Sequence, residues 1–305
     1  MRWRPTAALA VLLVLLSGCG PSFANLHLRV AAGSVGGVYH DLAGPLASAW
    51  AGELGIETPR VLATQGSRDN LNRVLSGSAD VAFVAADLAA DAAAAHPGKL
   101  AALARIHDDY LHIVVREDSP YNAVSMLRGR HIAVGSPESG VEYIADRVLQ
   151  VAGLKGAVTV NQLSLEDSLS ALENRKIDAM FWSGGLPTPL ITEYNRKVGL
   201  RLLDMSDLMP GMQRFSPVYG TATIPGSTYD QPGPVTTLVV PNFLVVPTSM
   251  SADVAEALTK GLYDARPQLA AVNRAALSID VHPGIETGPL PLHPGALAYY
   301  RAEKV

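Results

Sequence analysis

Apolar positions fall into two alternating rhythms along this chain, short runs of period two and longer runs of helical period, the marks of strands and of helices with one buried face. Leu26 to Ala32 alternates and then runs apolar, which predicts a strand. Gly33-Ser34-Val35-Gly36-Gly37 follows as a turn, and Tyr39 to Trp50 has the spacing of an amphipathic helix. Arg60 to Ala63 predicts a second strand. Gly66-Ser67 then opens a helix over Arg68 to Leu75, with Ser67 as its expected N-cap. Asp80 to Ala85 reads as a third, buried strand, followed by an alanine-rich helix from Asp87. Tyr110 to Arg116 is a further strand with Leu111, Ile113 and Val115 on one face.

A second series begins there. His131 to Gly135, Val158 to Val160 and Ile177 to Trp182 predict strands. Val141 to Val151 predicts a helix, as does the segment that opens with the capping-box-like pair Ser164 and Asp167 and ends near Asn174. Pro189 to Asn195 is a short helix, Thr236 to Val246 a long strand and Ala252 to Tyr263 a helix. Strands separated by helices predict an α/β fold with a parallel sheet in each of two domains. We expect residues 25–115 plus 236–305 as lobe 1 and residues 116–235 as lobe 2, with two crossing strands as hinges.

The first residues change the picture. Arg2 and Arg4 precede an apolar stretch from Ala7 to Leu16, and the chain's single cysteine closes Leu16-Ser17-Gly18-Cys19. A basic start, a brief apolar segment and small residues at a cut site predict a secretory signal peptide over 1–18. The stretch is too short to span a bilayer, which takes about 20 apolar residues. The segment resembles a bacterial lipobox, whose cysteine is lipidated after cleavage. Residues 19–24 would then be a lipidated tether on Cys19, and the protein would be extracytoplasmic and anchored to the membrane. The longest later apolar run, Leu238 to Val246, is broken by Pro241 and Asn242, so no spanning helix is expected.

Charge excludes one large class. The 24 Lys and Arg residues, less Arg2 and Arg4, set against 28 Asp and Glu give the mature chain a net charge of −6. Nucleic-acid binding would need a basic face. With Cys19 lipidated there is no thiol for a disulfide or a thiolate metal site. His107 and His112 lie beside Asp108 and Asp109, and their spacing reads as a solvated acidic turn at a strand start rather than a metal site. There is no Gly-x-Ser-x-Gly elbow, Walker motif or His-Glu-x-x-His. No cofactor and no metal are expected, and a hydrolase lacks a nameable nucleophile–base pair.

Ligands of open α/β sheets sit beyond the carboxyl ends of strands, where helix N-termini offer free N–H groups to anions. Three loops have the residues for this: Gly33 to Tyr39, Thr64 to Ser67, and Gly135 to Gly140. The candidate ligand-binding residues are Ser34, Gly36, Gly37, Tyr39, Thr64, Gly66, Ser67, Ser139 and Gly140, with Trp182 as a stacking surface. Thr64, Ser67 and Ser139 are expected to offer hydroxyls. Tyr143 is assigned to packing.

Seven blocks, in order over nearly the whole mature chain, resemble the TAXI family of solute-binding subunits of TRAP transporters. They are Gly33-Ser34-Val35-Gly36-Gly37-Val38-Tyr39, Thr64-Gln65-Gly66-Ser67-Arg68-Asp69-Asn70-Leu71, Gly77-Ser78-Ala79-Asp80-Val81-Ala82-Phe83-Val84, Lys176-Ile177-Asp178-Ala179-Met180-Phe181, Gly184-Gly185-Leu186-Pro187, Ala222-Thr223-Ile224-Pro225-Gly226-Ser227-Thr228-Tyr229 and His293-Pro294-Gly295-Ala296-Leu297-Ala298-Tyr299-Tyr300. The resemblance implies a two-lobed periplasmic-binding-protein fold of the second structural type that closes on a small carboxylate, such as glutamate or an oxo-acid, without catalysis. It also implies a membrane permease as partner, and we expect the binding protein to be a monomer. The chain departs from the family at Val141, where a threonine is common, at His40 and Asp41, and at Ala85. A ligand-binding lipoprotein serving a sensor would share these features.

Overall fold

The computed structural model describes residue 23 and residues 25–304. The expected signal peptide, Cys19 and most of the expected tether therefore lie outside the described residues. The chain runs β1 (Arg29–Ala31), α1 (Val38–Leu54), β2 (Arg60–Leu62), α2 (Ser67–Leu75), β3 (Val81–Ala85) and α3 (Ala86–Ala95) into the long strand β4 (Leu100–Arg116). Then come β5 (His131–Ala133), α4 (Gly140–Val151), β6 (Thr159–Asn161), α5 (Leu165–Glu173), β7 (Ala179–Gly184), α6 (Pro189–Val198) and β8 (Leu200–Leu202). After α7 (Met209–Phe215) and β9 (Gly220–Ile224), the second long strand β10 (Val235–Pro247) returns. Four helices follow it: α8 (Ala252–Asp264), α9 (Arg266–Val272), α10 (Val281–Gly284) and α11 (Pro294–Ala302).

All ten strands join one sheet, ordered β2-β1-β3-β10-β4-β7-β5-β6, with β8 on β4 and β9 on β10. The outer strands are parallel, β2-β1-β3 in one half and β7-β5-β6 in the other. The two long strands correct the expectation of a purely parallel sheet in each domain, because β10 is antiparallel to β3 and to β4, and β4 is antiparallel to β7. They are also what joins the halves. Along its first part β4 pairs with β10, from Leu100 opposite Pro247 to Tyr110 opposite Val239; from Tyr110 to Val114 its partner is β7. In turn β10 pairs with β9 through Val235–Val239 and with β3 through Asn242–Val245. The architecture is two-lobed α/β, with both crossings side by side.

A second correction concerns where β4 starts. Ala101, Ala102 and Ala104 carry helix propensity, yet they lie in the strand, fully buried between β10 and a bridge from Ala102 to Leu292. Pairing and burial outweigh a preference worth less than about 1 kcal/mol per residue. His107 and Asp109 consequently sit in mid-strand and are buried, as is His112. The expected solvated acidic turn does not exist.

Three hydrophobic clusters hold the layers. Trp50, Phe83, Leu103, Leu258 and Tyr300 form one beneath α1, α8 and α11, and Trp50 Nε1 donates to the Leu258 carbonyl at 2.9 Å. Val114, Leu172, Met180 and Tyr229 form another on one face of the second half. The third runs through both halves, from Val84 and Leu88 by way of Leu111 and Ile113 to Ile144, Phe181 and Tyr219. Each such side chain contributes about 1.5–3 kcal/mol of burial, so this shared cluster holds the halves against each other. Among the described residues no helix is long and apolar enough to cross a membrane.

Candidate functional site

The loops that follow β1, β2 and β5 meet at the carboxyl ends of those strands, as the sheet topology requires. Thr64 bolts the first two together. Its hydroxyl accepts from the Gly33 amide at 2.8 Å and donates to Asn70 Oδ1 at 2.5 Å. Asn70 in turn donates to the Phe83 carbonyl at 2.8 Å, which ties both loops to β3. Gly66 has φ of 124° and precedes α2, a backbone state essentially reserved for glycine. It also faces the second half closely, since a Cβ at Gly66 would lie 3.3 Å from Ser139 Cα. Gly135, at φ of 90°, has no room for a side chain either, because a Cβ there would lie 2.6 Å from Val141 Cβ.

These loops enclose a cavity of about 760 Å³, counting its mouth. Ser34, Gly37, Tyr39, Gly66, Ser67, Ser139, Gly140 and Trp182 line it; Gly36 and Thr64 do not. Gly36 shapes the turn at φ of 82°, and the Thr64 hydroxyl is committed to the scaffold. Ser67 is not the N-cap expected of it. Gly66 holds that position, and Ser67 is the first helical residue, its Oγ accepting from the Ala85 amide at 3.1 Å and lying 3.3 Å from the Tyr39 hydroxyl. Ser139 caps α4 by accepting from the Glu142 amide at 3.1 Å. Each expected hydroxyl thus makes at least one bond within the protein. What three helices leave over is their first-turn amides, which have no intrahelical acceptor, and Val38, Ser67 and Gly140 at those turns all line the cavity.

Tyr39 stacks on Phe83 with ring centroids 5.3 Å apart and hydrogen-bonds Asn242 of β10. Burial first, and then the charge of Asp109, hold its hydroxyl well above the usual phenol range, so it is a neutral donor. Trp182 Nε1 donates to Thr188 Oγ1 at 3.1 Å, which fixes the indole at the wall. Val141 packs against the Gly135 turn and also faces the cavity.

Two acids of the lining, Asp87 and Asp109, escaped the reading of the sequence. Asp87 is buried in the first turn of α3, where its oxygens accept from the Leu88 amide at 2.8 Å and from the Tyr219 hydroxyl at 2.7 Å. Burial pushes its carboxyl up, against the pull of those bonds and of Arg147. Around it lies a contact between the halves. Arg147 Nη1 donates to the Tyr219 hydroxyl at 2.8 Å, its Nη2 lies 3.2 Å from Asp91 Oδ2, and its guanidinium covers the Tyr143 ring at 4.2 Å. Tyr143 also bonds Asp91 and stands under Arg68. Far from merely packing, it bridges the rim of the cleft. Only three-dimensional placement assembles this set, because its members come from four separate segments. Among the described residues no group of three His, Cys, Asp or Glu side chains is arranged to hold a metal.

Residues 30–303 match the model of the NMT1-like family. The fold is shared with solved structures at low identity. The periplasmic binding protein BugD aligns with a TM-score of 0.57 at 14% identity, over 90% of this chain and 92% of that one. The alkanesulfonate-binding protein SsuA from Xanthomonas axonopodis pv. citri, bound to MOPS, aligns with a TM-score of 0.53 at 15% identity, over 93% and 85%. A histidine kinase sensor domain with similarity to periplasmic binding proteins aligns with a TM-score of 0.50 at 17% identity, over 83% and 97%.

Proposed function

Since this chain belongs to the NMT1-like family, we propose that it is an extracytoplasmic solute-binding protein of the TAXI type. In this reading it captures a small carboxylate, an amino acid such as glutamate or an oxo-acid, and delivers it to a TRAP-type permease. The observation that carries it is the convergence of three helix N-termini on one cavity between two halves joined by β4 and β10. Free first-turn amides favour an anion, each helix end contributing about 0.3–1 kcal/mol when exposed and more when partly buried. The reading is one of binding, without catalysis.

We further propose that Cys19, after removal of residues 1–18, carries the lipid that holds the protein at the membrane. Two or more acyl chains give stable attachment where one binds only marginally. Mass spectrometry of membrane-fraction protein tests this; a mature N-terminus other than an acylated Cys19 would overturn it. Binding is tested by thermal shift against dicarboxylates, amino acids and oxo-acids, where a ligand at 100-fold its dissociation constant adds about 2.7 kcal/mol. No shift with any of them would sink the carboxylate reading. The similarity to a histidine kinase sensor domain favours a second reading, in which the same binder serves a signalling partner. Uptake assays in cells lacking the protein separate the two, since loss of uptake belongs to transport alone.

A further inference from the structure

We infer that Asp109 makes this site prefer solutes that carry an ammonium group together with their carboxylate. The inference rests on the carboxylate-binding reading and deepens it. Asp109 faces the cavity from β4, at the point where that strand passes from one half to the other. Its Oδ1 lies 3.2 Å from His107 Nε2; among the described residues Oδ2 has no hydrogen-bond partner. His107 is buried, and among the described residues its Nδ1 has no partner. Its contact with Oδ1 orients the Asp109 carboxylate and leaves Oδ2 open.

The wall brings no lysine or arginine to Asp109: among the described residues that line the cavity there is neither. Asp87 is the other charged group of the lining, and its two oxygens are filled by Leu88 and Tyr219, with Arg147 hydrogen-bonded behind Tyr219. Asp109 is left as the carboxylate with an open oxygen on the wall. A purely anionic solute held at the helix ends would share a half-enclosed cavity with that charge and with no cation. An ammonium on the same solute removes the repulsion and gives Oδ2 a donor, in a charge-assisted hydrogen bond. The helix ends and Asp109 thus form the two poles of a site suited to a zwitterion. Replacing the ammonium by an oxo group leaves two oxygen acceptors facing each other.

Calorimetric titration of purified protein with matched pairs tests this: glutamate with 2-oxoglutarate, leucine with 4-methyl-2-oxopentanoate, alanine with pyruvate. In any pair that binds, the amino member should bind about tenfold or more tighter, the worth of one hydrogen bond to a charged group. In Asp109→Asn the preference should shrink to within about threefold, since an amide oxygen still accepts but carries no charge. The wild-type ratios need no variant, so they decide the matter even if Asp109→Asn folds poorly. Oxo-acids binding as tightly as their amino partners would overturn the inference while leaving the carboxylate reading intact. Tight binding of 1,4-diaminobutane with no binding of amino acids would overturn the carboxylate reading and the paired preference with it, leaving Asp109 as a cation contact alone. Failure of every compound to bind would overturn both.

Discussion

Tyr219 donates its hydroxyl proton to Asp87 across the boundary between the two halves, at 2.7 Å, and accepts from Arg147 at 2.8 Å in the same step. Asp87 belongs to the segment around β3, and Tyr219 to the one leading into β9. Because the bond ties these two segments together, we expect its free energy to act on closure of the halves. Burial and the neighbouring Asp87 push the Tyr219 phenol upward, which keeps the donor protonated.

Tyr219→Phe should therefore weaken ligand binding without replacing any residue that lines the cavity. It leaves an Asp87 oxygen unpaired in a buried setting, which costs about 1–3 kcal/mol. Calorimetry should show the dissociation constant rise by about tenfold or more at unchanged stoichiometry. Small-angle scattering of the liganded variant should show a more open particle than wild type. Equal affinity and equal radius would count against Tyr219 as a clasp.

Gly66→Ala should be worse than its size implies. The backbone at φ of 124° and the approach to Ser139 at 3.3 Å both oppose a Cβ. We expect a stability loss of about 1–3 kcal/mol from strain, together with weakened binding as Ser139 is pushed away. Gly36→Ala, at φ of 82° but with nothing near its missing Cβ, should show strain with little steric penalty. A Gly66→Ala protein that binds as tightly as Gly36→Ala would refute the close-approach argument.

Ser67→Ala separates scaffold from contact. Its hydroxyl satisfies the Ala85 amide, so the substitution should lower stability to chemical denaturant by about 1–3 kcal/mol. If the hydroxyl serves structure alone, the dissociation constant measured on folded protein stays at the wild-type value. A lowered affinity at unchanged stability would assign Ser67 to the ligand instead.

His112 makes acid sensitivity a local property. It is buried, donates from Nδ1 to the Tyr110 carbonyl at 2.8 Å and accepts at Nε2 from Tyr229 at 3.0 Å. Burial, chiefly, pulls it down from 6.5 to about 4. A base held low when folded contributes stability that is present above its unfolded value and lost as pH falls through the folded one. Between about pH 6.5 and 4 the protein should lose stability on the order of 3 kcal/mol from this group. Urea unfolding across that window should show the loss in wild type and a clearly shallower slope in His112→Gln.

The two half-sheets could be read from the sequence because their strands and helices carry clean periodicity, and the Gly33, Gly66 and Gly135 turns announce themselves by composition. Eight of the ten expected ligand-facing residues do line one cavity, whose binding role is still a proposal. The first part of β4 was hidden, since Ala101 to Asp109 has neither strand composition nor a polar–apolar alternation that survives burial on both faces. Asp87, Asp109 and Tyr219 were hidden for another reason. Each is an ordinary polar or aromatic residue in its own segment, and its importance comes from neighbours that lie far away along the chain.

The sheet order has a consequence for how the chain is made. Synthesis runs from the N-terminus, yet the strand that completes the first half, β10, is the last of all ten to leave the ribosome. Until Asn242 to Val245 arrive, Ala82 to Ala85 of β3 have no partner on that edge, and long-range pairing of this kind is slow to form. The first half therefore cannot complete its sheet until β10 has been made. A fold delayed in this way would suit the export proposed above, in which the chain crosses a membrane before it becomes compact.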